Sequence, residues 1–191
     1  VDLTASGIIG GLAGINYESG IISSSYFAGG RVINESTVVE ESFTGGLVAY
    51  NYGTIALSDV EGRFNETQKD ISNETDRIIR LDKGIISNGN VGGLVYLNTG
   101  NISDCYTNIT ISTNARSAAF VYNTEEGVVK NSYAFSSSES TTNNAPFVGV
   151  EPFETTYKGT IETSYYYKPS LTNNFVNVEP EDRIDNTDVL T

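Results

Sequence analysis

The sequence contains no histidine, which removes the commonest general base and the commonest metal ligand. Any hydrolytic chemistry would have to come from carboxylates. Asp59 and Glu61 are two residues apart, so an extended strand puts both on one face. Asp104 falls on the adjoining repeat described below. Two or three acids about 5–10 Å apart on one wall could cleave a glycosidic bond, one as acid and one as base or nucleophile. With 24 acidic residues in 191, however, such groupings also arise by accident. The expectation is a chain that is not an enzyme, with no catalytic, cofactor-binding or metal-ligating residue assigned.

The other candidates have plain readings as well. Calcium could use the abundant Asp, Asn and carbonyl oxygens, but no Asp-x-Asp-x-Asp-Gly loop or repeated Gly-Gly-x-Gly-x-Asp occurs. The Gly-Gly pairs lack the Lys-Ser/Thr and the helix that a phosphate loop needs. Cys105, the only cysteine, takes a position held elsewhere by Ser25, Ser58, Ser132 and Ser164. It reads as a small residue in a tight corner rather than a reactive thiolate. Tyr17, Tyr50, Tyr52, Tyr96 and Tyr122 cluster around one turn and, if exposed, could stack on sugars. Sequons stand at Asn34, Asn65, Asn73, Asn101 and Asn108, a number that chance supplies in a chain this rich in Asn, Ser and Thr. Three of them (Asn34, Asn65 and Asn73) fall in expected insertions, where a glycan would fit.

Composition narrows the partners. The net charge is −13, a field that repels nucleic acid and anionic membrane surfaces. No apolar run approaches the roughly 18–20 residues that span a bilayer, so no membrane insertion is expected. Val stands first and Met is absent, which reads as a processed chain or a piece of a larger protein or assembly. Gly (19) and Tyr (12) are plentiful and hydrophobic residues make up 38%. That balance favours short strands and many turns over helices.

The elements that position these residues are announced by an internal repeat. Gly10-Gly11-Leu12 leads to Asn16, then Gly20-Ile21-Ile22, then Ser25-Tyr26. Gly45-Gly46-Leu47 leads to Asn51, then Gly53-Thr54-Ile55, then Ser58. Gly92-Gly93-Leu94 leads to Asn98, then Gly100-Asn101-Ile102, then Cys105-Tyr106. Ala118-Ala119-Phe120 leads to Asn123, then Gly127-Val128-Val129, then Ser132-Tyr133. Phe147-Val148-Gly149 leads to Gly159-Thr160-Ile161, then Ser164-Tyr165. Successive lead apolar residues (Leu12, Leu47, Leu94, Phe120, Phe147) are 35, 47, 26 and 27 residues apart. The unit is therefore about 26 residues, with insertions in the first two intervals. Four of the five units place Tyr four residues after the second apolar position; the second unit has Asp59 there instead.

Such a unit has room for about three short strands and cannot bury its apolar face alone, so neighbours must stack. Like residues then lie over like: Leu12, Leu47, Leu94, Phe120 and Phe147 in one core ladder, Ile22, Ile55, Ile102, Val129 and Ile161 in a second, and the tyrosines in a third. Asn16, Asn51, Asn98 and Asn123 are expected to hydrogen-bond one another from unit to unit. The glycine that follows each is expected to supply a positive φ at the corner.

These residues resemble the GLUG repeat of bacterial surface proteins, whose pattern runs Gly-Gly-Leu-Val-Gly, an Asn turn, Gly-x-Ile, then Ser-Tyr. The resemblance spans roughly residues 7–167. It implies an all-β fold, a right-handed parallel β-helix (a solenoid) of about five degenerate rungs, and an extracellular location on a cell or virion surface. It brings no catalytic residues. The domain reading is a β-helix over 1–167, with an insertion at about 60–91 and a smaller one around Asn34–Phe43. The first insertion carries eleven charges over 60–83, with Ile78, Ile79 and Leu81 available to clip it to the wall. Residues 168–191 read as a C-terminal cap over Pro169–Val178, with a linker tail beyond. The expected function is a structural or adhesive module that binds surface polysaccharide or a host receptor. The alternatives are a carbohydrate-active phage tail-fibre or tailspike domain, and a self-assembling filament or sheath subunit.

Overall fold

The computed structural model describes residues 2–62, 84–135, 137–138, 144–149, 159–167 and 175–177. The charged stretch 63–83, with Ile78, Ile79, Leu81, Asn65 and Asn73, lies outside them, as do 168–174 and 178–191. The fold is all-β with parallel sheets. Among the described residues the only helical element is one 3-10 turn, Val39–Glu41, and no helix is long and apolar enough to cross a membrane.

Strands of three or four residues predominate, and all the described strands but Phe175–Asn177 pair in parallel with the equivalent strand of a neighbouring repeat. Ala13–Asn16, Val48–Asn51, Val95–Asn98 and Val121–Thr124 make a four-stranded sheet. Its register pairs Ala13 with Val48, Val48 with Val95 and Val95 with Val121, and an isolated bridge continues from Val121 to Val148. Those steps reproduce the sequence intervals of 35, 47, 26 and 27. Ile21–Ser23, Thr54–Ala56, Asn101–Ser103, Val128–Lys130 and Thr160–Glu162 form a five-stranded sheet. A second five-stranded sheet includes Ile8–Gly10, Phe43–Gly45 and Asn90–Gly92, and the remaining strands make a ten-stranded sheet. Parallel strands need a crossover, and here the crossover is made of strands belonging to the other sheets.

The first repeat holds five strands, Ile8–Gly10, Ala13–Asn16, Ile21–Ser23, Tyr26–Ala28 and Arg31–Asn34, where sequence length suggested three. The corners are the reason, since they consume only about two residues each. At one corner of every repeat a non-glycine residue turns the chain in the left-handed region: Ser24, Leu57, Asp104, Asn131 and Thr163, all with φ between 47° and 54°. One such residue is enough to redirect a strand.

The expected glycine corners are corrected. Gly20, Gly53, Gly100 and Gly127 do not have positive φ. They are glycine because a Cβ there would collide, with the preceding repeat at Gly53 (2.3 Å from the Gly20 carbonyl oxygen), Gly100 (2.0 Å from that of Gly53) and Gly127 (2.2 Å from Asn98 Nδ2), and with its own repeat at Gly20 (2.0 Å from Asn16 Oδ1). The second glycine of each Gly-Gly pair likewise meets the next repeat, while the first (Gly10, Gly45 and Gly92) meets the carbonyl oxygen three residues on in its own repeat, at 2.2, 1.8 and 1.8 Å. A Cβ on Gly46 would sit 1.9 Å from the Gly93 oxygen, and one on Gly93 2.0 Å from the Ala119 oxygen. Close approach, not backbone freedom, selects glycine here.

The core lies between the sheets. Leu47, Leu94, Phe120 and Phe147 are fully buried in one column, and Phe120 and Phe147 stack with ring centroids 4.6 Å apart. Leu12 departs from expectation: it is 51% exposed, next to the strand that is outermost in its sheet among the described residues. Ile55, Ile102 and Val129 make the second column, with Ile22 and Ile161 half-buried at its ends. A third, Val32–Ile85–Ile111, is fully buried and was not read from the sequence. Burying each such side chain contributes roughly 1.5–3 kcal/mol.

Part of each expected insertion is regular structure. Arg31–Asn34 is a paired strand, and Asn34 is buried. Its Nδ2 donates to the Gly7 carbonyl at 2.7 Å and to Thr44 Oγ1 at 2.9 Å. The Asn34 sequon therefore has no room for a glycan, contrary to expectation. Of the 60–91 segment, Gly84–Ser87 and Asn90–Gly92 are ladder strands. Beyond the last Tyr strand, Phe175–Asn177 pairs antiparallel with Tyr165–Tyr167.

Candidate functional site

The tyrosine column is a real ladder, on the outside of the molecule rather than in the core. Asp59 is in register with Tyr26 on one side and Tyr106 on the other, followed by Tyr133 and Tyr165. Tyr26, Tyr133 and Tyr165 are exposed. Tyr106 and Tyr133 stack with centroids 5.1 Å apart and planes 5° from parallel. Period-two alternation sets this wall, since Val60 turns inward while Asp59 and Glu61 turn outward.

Asp59 stands in the tyrosine column and interrupts the row of rings. Tyr106 answers the gap by donating its hydroxyl to Glu61 Oε1 at 2.7 Å, with Asp59 also in hydrogen-bonding contact. Partial burial raises the Asp59 carboxyl above the usual carboxylate range, against the lowering effect of the Tyr106 hydroxyl, and the nearby Glu61 charge adds to the rise. The Tyr106 hydroxyl is pushed well above the ordinary tyrosine range by burial first, then by its bond to Glu61 and by both acids. Tyr133 rises for the same reasons, burial before charge.

The structure thus brings Asp59 and Glu61 to one wall, as their spacing required. Asp104 stands at the corner before Tyr106, where its Oδ1 accepts from Asn131 Nδ2 at 3.3 Å. Among the described residues, no three Asp, Glu or Cys side chains gather closely enough to hold a metal ion. The wall offers aromatic edges, a paired phenol and two acceptor carboxylates. That inventory can hydrogen-bond a polyol.

The five tyrosines expected around the Asn turn divide. Tyr96 and Tyr122 are buried and stack at 5.1 Å, and Phe43 and the half-buried Tyr50 pack on Tyr96. These rings cover the core's flank rather than facing solvent. Tyr17 and Tyr52 remain exposed, and with Ile15, Glu18 and Ser19 they line a shallow, open groove of about 510 Å³. Aromatic faces, a carboxylate and a hydroxyl along an open trough are the ordinary chemistry of sugar recognition.

Cys105 is buried and its thiol is pushed up to about 11, mainly by burial. It fills the place of a corner serine atom for atom. Sγ donates to the Ser103 carbonyl at 3.0 Å, as Ser58 Oγ does to Ala56 and Ser132 Oγ to Lys130, both at 2.8 Å. These side chains also receive the backbone N–H of the preceding repeat's corner: Ser25 to Ser58 Oγ at 3.2 Å, Ser58 to the Cys105 thiol, and Cys105 to Ser132 Oγ at 3.2 Å. The corner is thus a stitched column. The recurring Ser was visible in the sequence; its two-way bonding was not.

No family model matches this chain, and neither a curated protein nor a solved structure matches it.

Proposed function

We propose that this chain is an extracellular, surface-presented β-solenoid module of GLUG type, a right-handed parallel β-helix that serves as a stiff spacer and adhesive wall without catalysing a reaction. The observation that carries this reading is the register: equivalent strands of successive repeats pair in parallel in all four sheets, at the intervals read from the sequence. A stack with this unit length and one-way pairing is the natural product of a chain winding in one sense. The antiparallel strand Phe175–Asn177 on Tyr165–Tyr167 supports reading the start of the C-terminal segment as a cap, because it covers a sheet edge.

The adhesive part rests on the Tyr17–Tyr52 groove and the Tyr–Asp59–Glu61 wall, with a surface polysaccharide as the ligand class. A chain of net charge −13 selects against anionic polymers, so neutral or amino-sugar polymers are the fitting class. The non-catalytic part is supported by the bonds that occupy two of the three acids, Glu61 with the Tyr106 hydroxyl and Asp104 with the Asn131 amide.

The test is retention of the purified chain on a panel of bacterial and host polysaccharides, with polymer length followed in parallel. Retention without shortening, lost in a Tyr17→Ser/Tyr52→Ser variant, is the expected result. Shortened polymer that stays intact with Asp59→Asn would establish an enzyme and overturn the reading. Absence of any retention would remove the adhesive part and leave a spacer.

A further inference from the structure

One corner recurs in three neighbouring repeats, where the chain leaves the strands Arg31–Asn34, Gly84–Ser87 and Tyr106–Thr113. Each time the side-chain oxygen of the last strand residue accepts the backbone N–H two residues on. Asn34 Oδ1 accepts from Ser36, Ser87 Oγ from Gly89 and Thr113 Oγ1 from Ala115, all at 3.1 Å. In the middle repeat the turning pair is Asn88-Gly89, the one Asn-Gly in the sequence. Packing requires the glycine, because a Cβ on it would sit 2.3 Å from that of Ser42.

Asn-Gly is also the dipeptide most prone to forming a cyclic imide, since no side chain on the glycine shields its nitrogen. The glycine nitrogen attacks the asparagine Cγ and a C–N bond forms. The Cγ–Nδ2 bond breaks, and ammonia leaves with the proton from the glycine nitrogen. Water then opens the imide at either carbonyl, leaving an aspartyl or an isoaspartyl residue. In the closed corner each of these atoms is engaged elsewhere. Gly89 is buried, its N–H is on Ser87 Oγ, and its carbonyl accepts from Thr113 Oγ1 at 2.6 Å. Ser87 Oγ in turn joins a buried hydroxyl cluster, with Ser42 Oγ at 3.1 Å and Thr44 Oγ1 at 3.2 Å. Asn88 is exposed, but its amide donates to the Ser36 carbonyl at 3.2 Å and accepts from Asn114 Nδ2 at 3.3 Å.

We propose that Asn88 is a self-modification site, held unreactive by the Ser87 hydroxyl and converted to aspartyl or isoaspartyl when this corner opens to water. The nucleophile and the carbon it attacks are tied to different partners. Reaction therefore waits until Gly89 leaves Ser87 and the Asn88 amide leaves Ser36. The product does not restore the closed corner. Its carboxylate has no hydrogen to donate to the Ser36 carbonyl and brings a negative charge up to it. An isoaspartyl link also adds a methylene to the main chain, at a corner whose neighbours make the same turn without one. Modification is thus a one-way record of opening, and it weakens the corner that it marks.

The experiment incubates the full chain at pH 8, folded and in guanidinium chloride. The tryptic peptide 84–116 is followed by mass for loss of the amide and by assay for isoaspartate. Conversion at Asn88 is expected to be slower in the folded chain by about tenfold or more. Ser87→Ala, which frees the Gly89 N–H, is expected to speed the folded-state reaction several-fold. Ser87→Thr, carrying the hydroxyl that Thr113 uses at the equivalent corner, is expected to stay slow. Val129→Ala weakens the core but leaves the corner intact, and should react more slowly than Ser87→Ala. Asn88→Asp is expected to lower the urea midpoint. Equal rates in the folded and unfolded chain would overturn the inference. So would a Ser87→Ala rate no greater than that of Ser87→Thr or Val129→Ala, which would assign the reaction to global unfolding. An unchanged midpoint in Asn88→Asp would overturn its one-way character.

Discussion

The side-chain amide of Asn51 donates to Asn98 Oδ1 at 2.8 Å across two stacked repeats, while its own Oδ1 accepts from Asn16 at the same distance. All three are buried. Asn16 and Asn51 each donate both to the next asparagine and to a backbone carbonyl, Gly20 and Gly53, and Asn98 donates to the Gly100 carbonyl at 3.2 Å. A buried amide with its bonds made is inexpensive; one whose partner is removed costs about 1–3 kcal/mol. Asn51→Leu is therefore expected to lower stability by about 2–3 kcal/mol in urea unfolding. Asn51→Asp should cost more at pH 7, because a carboxylate has no hydrogen to donate to Asn98.

The apolar ladder carries a matched pair of outcomes. Phe120→Ala removes a buried ring stacked on Phe147 and is expected to cost about 3–5 kcal/mol. Leu12→Ala, at the same ladder position but largely exposed, should cost well under 1 kcal/mol. Equal losses in urea unfolding would mean that Leu12 is covered in solution.

Leu57 adopts φ 50° with its side chain largely in solvent. A residue with a Cβ pays roughly 1–2 kcal/mol in this conformation. Leu57→Gly should raise stability by about 0.5–1 kcal/mol after glycine's extra chain entropy is subtracted. At the equivalent corner Asn131, also at positive φ, Asn131→Leu should lower it, because Asn tolerates this region better than Leu.

Cys105 is expected to resist disulfide-forming reagents at pH 8 in the folded chain and to react promptly in urea. Its thiol is buried and shifted up to about 11, and the thiolate is the reactive form. Cys105→Ser should preserve the corner bonds and change the urea midpoint little, whereas Cys105→Val, which makes none of them, should lower it by about 1–2 kcal/mol.

Asp59 provides the pH test. Burial raises its carboxyl above the ordinary value of 3.8, so the folded state binds this proton more tightly than the unfolded state. Its contribution to stability is fully present below the unfolded value and is lost as pH rises through the folded one. Asp59→Asn is accordingly expected to raise the urea midpoint at pH 7, with the gain shrinking toward pH 3. Asp2, held low by Arg31, has the opposite sign: its contribution is present above the unfolded value and fades as pH falls through the folded one.

Much of this arrangement was legible in the chain because stacking repeats its demands. Every repeat must place an apolar residue inward, a small residue at the corner and an amide over an amide, so Leu47, Leu94 and Phe120, Ser58 and Cys105, and Asn51 and Asn98 recur at matching intervals. The outward face of Asp59 and Glu61 followed from period two alone. What the tertiary structure decided is whatever depends on the repeat above or below. Leu12 has the ladder residue type yet is largely exposed. Tyr96 and Tyr122 are buried by neighbouring rings while Tyr17 and Tyr52 are not, and Gly53 and Gly100 are glycine because of an approaching carbonyl rather than their own φ. Asp104 occupies a left-handed corner and accepts from Asn131, a partner its spacing in the sequence did not reveal. Residue type sets what a position can do within its own strand; burial and hydrogen-bond partners come from a segment 26 to 47 residues away, and only the stack brings that segment into contact.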